Sequence, residues 1–342
     1  LLNTTISGTL DNLSIPNFQM SGIGSSKINV SGRIIGLPNT DKAYFNLSIK
    51  NVQSTAKDVY GFVPKNAIPN SIQIPAQFSA KGTFKGTIKN FSTHLNLLSS
   101  SGNATVKGTL DRRTKNKEHY NVVASLDNFD LGRLLKNDSI GKLSLKTEIK
   151  GTGFEPKTAN AVANATIIKL DLNRYTYQNL IVDGKINNGT FSANAFLKDP
   201  NLKFDLISSG SFKDKYPQGE IHLNVDIADL NKLHLHAGNL KLRGNLDAAI
   251  QSADLDFLNG KASIHHLTIA TEKDQFTTDS INVVATATAE KNSIQLNSQF
   301  MDAEVVGKYQ LSTIVNSVTN SISNYYNLKV APKNIPYDKQ QL

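Results

Sequence analysis

The sequence predicts an all-β chain, a long meandering antiparallel sheet with a few short helices. Three observations carry this. Apolar residues recur at every second position in many separate segments, Asn-Gly and Pro-containing turns punctuate them, and only three stretches show helical spacing instead.

The register is clearest between Arg174 and Phe212. Asn188-Gly189 is a favoured pair for a two-residue type I′ hairpin turn. That turn sets Ile186 opposite Phe191, Gly184 opposite Ala193, Val182 opposite Ala195 and Leu180 opposite Leu197, all on one face. With the next turn at Lys198–Asn201, where Pro200 lacks an N–H for the ladder, Leu197 pairs with Leu202, Ala195 with Phe204 and Ala193 with Leu206. The opposite face reads Asp183, Lys185, Asn187, Thr190, Ser192, Asn194, Lys203, Asp205 and Ser209, with Ile181, Phe196 and Ile207 as apolar exceptions. A one-residue slip would exchange the faces, so register is strongly specified.

The same alternation appears along the chain. Ile28, Val30, Gly32 and Ile34 are followed by Phe45, Leu47 and Ile49, then by Ile72, Ile74, Ala76, Phe78 and Ala80. Leu95 and Leu97, Ala104 to Leu110, Tyr120 to Leu126, Leu143 to Ile149 and Ala161 to Ile167 lead into the hairpin. After it come Ile221, Leu223, Val225 and Ile227, then Leu240 to Leu246, Ile281 to Ala287, and Ile294 to Tyr309. Helical spacing is confined to residues 53–63 (Ala56, Val59, Tyr60, Val63), to 129–136 (Phe129, Leu131, Leu134, Leu135) and to 311–328. The last carries the stripe Leu311, Val315, Val318, Ile322 and Tyr325 of an amphipathic helix. The expected organisation is a continuous β segment over 1–310, that helix, and an irregular tail over 329–342 marked by Pro332 and Pro336.

Two short patterns recur at variable spacing. Gly-x-apolar occurs at Gly8, Gly32, Gly86, Gly108, Gly184, Gly210 and Gly244, and apolar-x-Asn/Asp-apolar at Ile49–Val52, Ile88–Phe91, Leu126–Phe129 and Ile227–Leu230. The lack of a fixed period favours a meander over a β-helix of constant rungs.

At 342 residues, with 39% hydrophobic content, 22 Gly, 10 Pro and no Cys, the chain suits short strands and turns and excludes disulfide scaffolds, thiol catalysis and thiolate metal sites. The formal charge of +9 suits phosphate-bearing partners, or is a solvated face. The sequence begins at Leu1 without an initiator Met and has no apolar run of the roughly 18 residues that span a membrane. The expectation is a piece of a longer protein, with any targeting or anchoring segment outside it.

The motifs carry little chemistry. No nucleophile elbow, phosphate loop or His-Glu-x-x-His occurs. Gly22-x-Gly24 and Gly151-x-Gly153 read as turn glycines. His234 and His236 would share one face of a strand and read as surface histidines more readily than as metal ligands. His265-His266 would point to opposite faces, and Asp254 with Asp256 lacks a partner acid or base. No catalytic residue, metal ligand or cofactor is expected, and aromatics do not interleave with Lys and Arg as a nucleic-acid surface requires.

What the apolar face is for is the main question. About twenty strands at roughly 4.8 Å each would run about 90–100 Å, beyond the length at which open sheets curl or split. The sheet can fold on itself as dry sandwiches or a solenoid, close into barrels, or curl into a trough filled by a ligand. Periodicity leaves these open, sandwiches being the commoner antiparallel solution.

A resemblance bears on the choice. The strings YTYQNLIVDGKINNGTF at Tyr175–Phe191, DPNL at Asp199–Leu202, NFDLGRLLKN at Asn128–Asn137 and GTGFEPKTANA at Gly151–Ala161 resemble the TamB branch of the AsmA-like periplasmic proteins. The likeness lies in their order and covers nearly the whole chain. It implies a U-shaped, curled β-sheet (a β-taco) with an apolar groove. Here that groove would be lined by Leu180, Val182, Ile186, Phe191, Ala193, Ala195, Leu197, Leu202, Phe204, Leu206, Ile221, Leu223, Val225 and Ile227. It further implies a periplasmic protein held in the inner membrane by an anchor outside this sequence, reaching a TamA-like outer-membrane barrel and carrying phospholipids between the membranes without catalysis. The alternative is a scaffold that docks such a barrel during outer-membrane protein assembly. An extracellular adhesin of repeated sandwiches is disfavoured by the lack of domain-length repeats.

Overall fold

A computed structural model describes residues 1–62 and 68–313. Nineteen strands form one antiparallel sheet, and every ladder described joins strands consecutive in sequence. Among the described residues no ladder returns from the last strand to the first, so the sheet is not closed into a barrel. The period-two alternation is what this architecture requires, since each strand presents one face to water and one to its apolar neighbours.

The chain divides into two compact units, Leu1–Asn188 with Ala195–Pro200, and Gly189–Asn194 with Asn201–Leu342. The first holds β1 (Leu2–Thr9), β2 (Asn12–Ile23), β3 (Ser26–Ile35), β4 (Tyr44–Thr55), β5 (Gln77–Thr87), β6 (Asn90–Ser99), β7 (Gly102–Asp111), β8 (His119–Asp130), β9 (Ile140–Thr152), β10 (Asn160–Leu172), β11 (Tyr175–Asn187) and the end of β12 (Thr190–Lys198). The second holds the start of β12, then β13 (Leu202–Ser211), β14 (Gln218–Asp229), β15 (Lys241–Ser252), β16 (Asn259–Ala270), β17 (Gln275–Ala287), β18 (Asn292–Ser298) and β19 (Asp302–Gly307).

Two of the three helical stretches form helices among the described residues. The first, α1 (Ala56–Phe62), follows β4, and Asp58 ties it to the β2–β3 turn by accepting from the Ser25 N–H (2.8 Å) and the Ser26 hydroxyl (3.0 Å). The second, α2 (Leu131–Leu135), is capped at its start by Asp130, whose carboxylate accepts from the Arg133 N–H at 2.9 Å, and ends at Lys136 in the left-handed region. It packs on β9, beside buried Phe129 and Leu143. Apart from residues 311–313, the predicted helix at 311–328 lies outside the described residues, as does the tail at 329–342.

Ile72 and Ile74 were expected to open a strand that instead starts at Gln77. The segment before it is spent on α2, where the Gln73 N–H bonds the Leu134 carbonyl at 2.8 Å and Lys136 Nζ reaches the Asn70 carbonyl at 2.5 Å.

The recurring apolar-x-Asn/Asp-apolar step has more than one structural meaning. At Ile49–Val52 and Leu126–Phe129 it is a β-bulge, at Ile88–Phe91 it is the β5–β6 turn, and at Ile227–Leu230 it ends β14. In the bulges the extra residues let Ile49 pair with Gly82 while Val52 pairs with Ala80, so side chains three apart share a face.

Candidate functional site

In the first unit the ladders align apolar side chains in rows across successive strands. One row runs Met20, Ile28, Val52, Ala80, Leu97, Ala104, Leu126, Leu145, Ile167, Leu180. The next runs Phe18, Val30, Ile49, Gly82, Leu95, Val106, Ala124, Thr147, Ala165, Val182. Ile186 closes another that includes Phe45, Gly86, Phe91, Leu110, Tyr120, Gly151 and Ala161. The second unit has comparable rows, Leu206, Leu223, Leu246, Ile264, Ile281 and Ser208, Ile221, Ala248, Ala262, Val283, Leu296.

These rows are half-buried, not buried. A second sheet about 10 Å above them would take inward-facing side chains out of water. Yet every residue of the rows just named, apart from Gly86, is only partly screened by its neighbours. Among the described residues, buried apolar side chains are few and cluster near strand ends, as at Phe129, Leu143, Leu197, Ala228 and Ala287. Neither unit lays a dry sandwich over its apolar face among the described residues.

Of the predicted lining residues, Leu180, Val182, Ile186, Ala195 and Leu197 lie in the first unit. Phe191, Ala193, Leu202, Phe204, Leu206, Ile221, Leu223, Val225 and Ile227 lie in the second. All are half-buried except Leu197, which is 2% exposed. Ile227 departs from the row. It pairs with Lys203 beside a bulge in which Asp226 is the extra residue, and Asp226 binds Lys203 at 2.6 Å. Leu202 pairs with Ala228.

The hairpin turn forms as expected, with Asn188 (φ 50) and Gly189 (φ 85) both in the left-handed region that type I′ needs. The pairing of β12 with β13 is corrected. In the second unit the Phe212 N–H bonds the Gly189 carbonyl at 2.8 Å and the Ser208 hydroxyl reaches the Ala193 carbonyl. This sets Phe191 opposite Gly210 and Ala193 opposite Ser208, two residues from the predicted pairing of Ala193 with Leu206. Phe191 stacks on Phe212 with centroids 5.0 Å apart, and a Cβ at Gly210 would lie 2.7 Å from the Phe191 ring. The glycine leaves the space the aromatic pair fills, and a two-residue shift keeps both faces unchanged.

The remaining candidates are structural. His234 and His236 do not lie on a strand; they sit in the connection between β14 and β15, where Leu233 is buried and both histidines are exposed. Asp254 caps the short 3-10 turn Leu255–Phe257 by accepting from the Asp256 N–H, and Asp256 accepts from the Ser312 N–H (3.0 Å) and hydroxyl (2.9 Å). One cluster was not foreseen. On the polar face of β14–β16, Asp247 lies 2.6 Å from His222 and 3.8 Å from His265, a diagonal that only the strand register reveals.

No protein-family model matches this chain, and no curated protein or solved structure matches it significantly.

Proposed function

We propose that this chain is a section of a TamB-like conduit for phospholipids, working in the periplasm without catalysis. The observation that supports it is the apolar face of each unit, rows of Leu, Ile, Val and Phe that no second layer of the described residues buries. An exposed apolar strip of this extent is an aggregation hazard unless something occupies it. Acyl chains are suited to do so, because the rows offer aliphatic contact without fixed polar partners. Burial is worth roughly 0.8 kcal/mol per CH₂ wherever the chain lies, so a lipid can slide without large changes in affinity.

Native mass spectrometry of the purified chain, followed by lipid extraction, tests this. Co-purifying phospholipid that is lost in folded Val182→Asp is expected. A soluble, monomeric and lipid-free wild type would count against the conduit.

A further inference from the structure

We propose that the β7–β8 connection is a phosphate-binding rim for a glycerophospholipid whose acyl chains lie on the apolar face of the first unit; this rests on the conduit reading. The loop 112–118 carries Arg112, Arg113, Lys115 and Lys117, and the adjacent β5–β6 turn adds Lys89. The two turns are joined, since the Arg112 N–H bonds the Lys89 carbonyl at 2.8 Å.

The two acids that flank the basic residues are turned to partners or inward, with Glu118 Oε2 buried and, among the described residues, unpaired. Asp111 binds Arg113 at 2.6 Å, and Glu118 is turned inward, 9% exposed, with Oε1 accepting from the Asn116 N–H. Lys89, Arg112, Lys115 and Lys117 are exposed, and among the described residues none has an acidic partner. The loop therefore presents cations outward and its carboxylates elsewhere.

Position distinguishes this rim from an ordinary solvated surface. Phe91, Leu110 and Tyr120 pair across β6, β7 and β8 as the last apolar row before the loop. Arg112 follows Leu110 by two residues, about 7 Å at the rise of a strand. Cations at the end of an uncovered apolar row match an amphiphile with an anionic head and aliphatic tails. Lys and Arg bind phosphate through charge-assisted hydrogen bonds.

The test uses the whole chain and two lipids with the same tails, dioleoyl phosphatidylglycerol and diolein, which lacks the phosphate. Their affinities are measured by native mass spectrometry for wild type and for the triple variant Arg112→Gln, Lys115→Gln, Lys117→Gln. All three positions are exposed, and an unchanged thermal transition confirms folding. We expect phosphatidylglycerol to bind about tenfold more weakly to the variant, as losing one charged hydrogen bond or more implies, with diolein unchanged. Equal loss of both lipids, or no loss of either, overturns the headgroup site and leaves the apolar face standing. Inorganic phosphate binding as tightly as the lipid would make the loop a free-anion site and overturn the lipid assignment. A wild type that binds neither lipid defeats the conduit reading and the rim with it.

Discussion

The Tyr175 hydroxyl donates a hydrogen bond to the carboxylate of Asp199, 24 residues further along the chain. Asp199 is 4% exposed and also accepts from the Gln178 N–H at 3.1 Å. The carboxylate thus secures the start of β11 from the residue that follows β12, and the aspartate of the Asp-Pro turn has a structural task beyond the turn itself. Burial, with the nearby Asp199 charge, also raises the pKa of neighbouring Tyr177. Asp199→Ala removes this acceptor from two donors. The expected cost is about 1–3 kcal/mol in urea unfolding at unchanged m-value.

Glycine substitutions should differ in sign according to backbone conformation. Gly82 has φ 146, and a Cβ there would lie 1.8 Å from the His94 carbonyl oxygen across the β5–β6 ladder. Gly82→Ala should cost at least about 1–3 kcal/mol. Gly61 lies in α1 with nothing within 4 Å of an added Cβ, so Gly61→Ala should stabilise by about 0.5–1 kcal/mol. Thermal melts of the two variants, displaced in opposite directions, would check the pair.

A charge on the open face should be tolerated where the same charge at a buried site is not. Val182 is half-buried and Leu197 is 2% exposed. Val182→Asp should keep a cooperative unfolding transition, because its carboxylate stays hydrated. Leu197→Asp buries an unpaired carboxylate and should abolish that transition. Circular dichroism during denaturation distinguishes the outcomes, and loss of folding in Val182→Asp would show that the face is covered after all.

The Asp111–Arg113 pair has an acid signature. The Arg113 hydrogen bond holds the Asp111 carboxyl down to about 2. A depressed carboxylate contributes stability that is complete above its unfolded pKa of about 3.9 and is lost as pH falls through the folded value. Nuclear magnetic resonance titration of Asp111 should therefore give a midpoint near 2. In Arg113→Gln that midpoint should rise toward the unfolded value; Asp111 is ionised in both proteins at neutral pH, and any difference in stability between them should disappear as the pH falls to about 2.

Period-two alternation makes the faces legible without coordinates. That Val182 and Ala165, or Ile186 and Ala161, share a face follows from the alternation alone; that they pair depends on the register. The same periodicity is blind to even shifts, which is why the pairing of Ala193 was displaced by two without altering its face. Bulges such as Leu126–Phe129 depend on the partner strand and leave only a degenerate local trace. The Leu-His-Leu-His run at 233–236 alternates like a strand yet lies in a connection, with Leu233 buried and Leu235 59% exposed. The basic run Arg112–Lys117 is visible in the sequence, but the inward turn of Glu118 is not.

Because among the described residues each strand bonds only to its neighbours in sequence, stability within either unit is nearly a sum of adjacent pair terms, as in a stack of repeats. Disruption should then spread inward from the outermost strand, with β1 exchanging its amide protons before β6. Contacts close in sequence also favour rapid assembly by successive hairpin closure, since little chain entropy is lost at each step. Such a sheet can gain or lose a hairpin between generations without rebuilding a core, so its span can be matched to a distance by simple duplication.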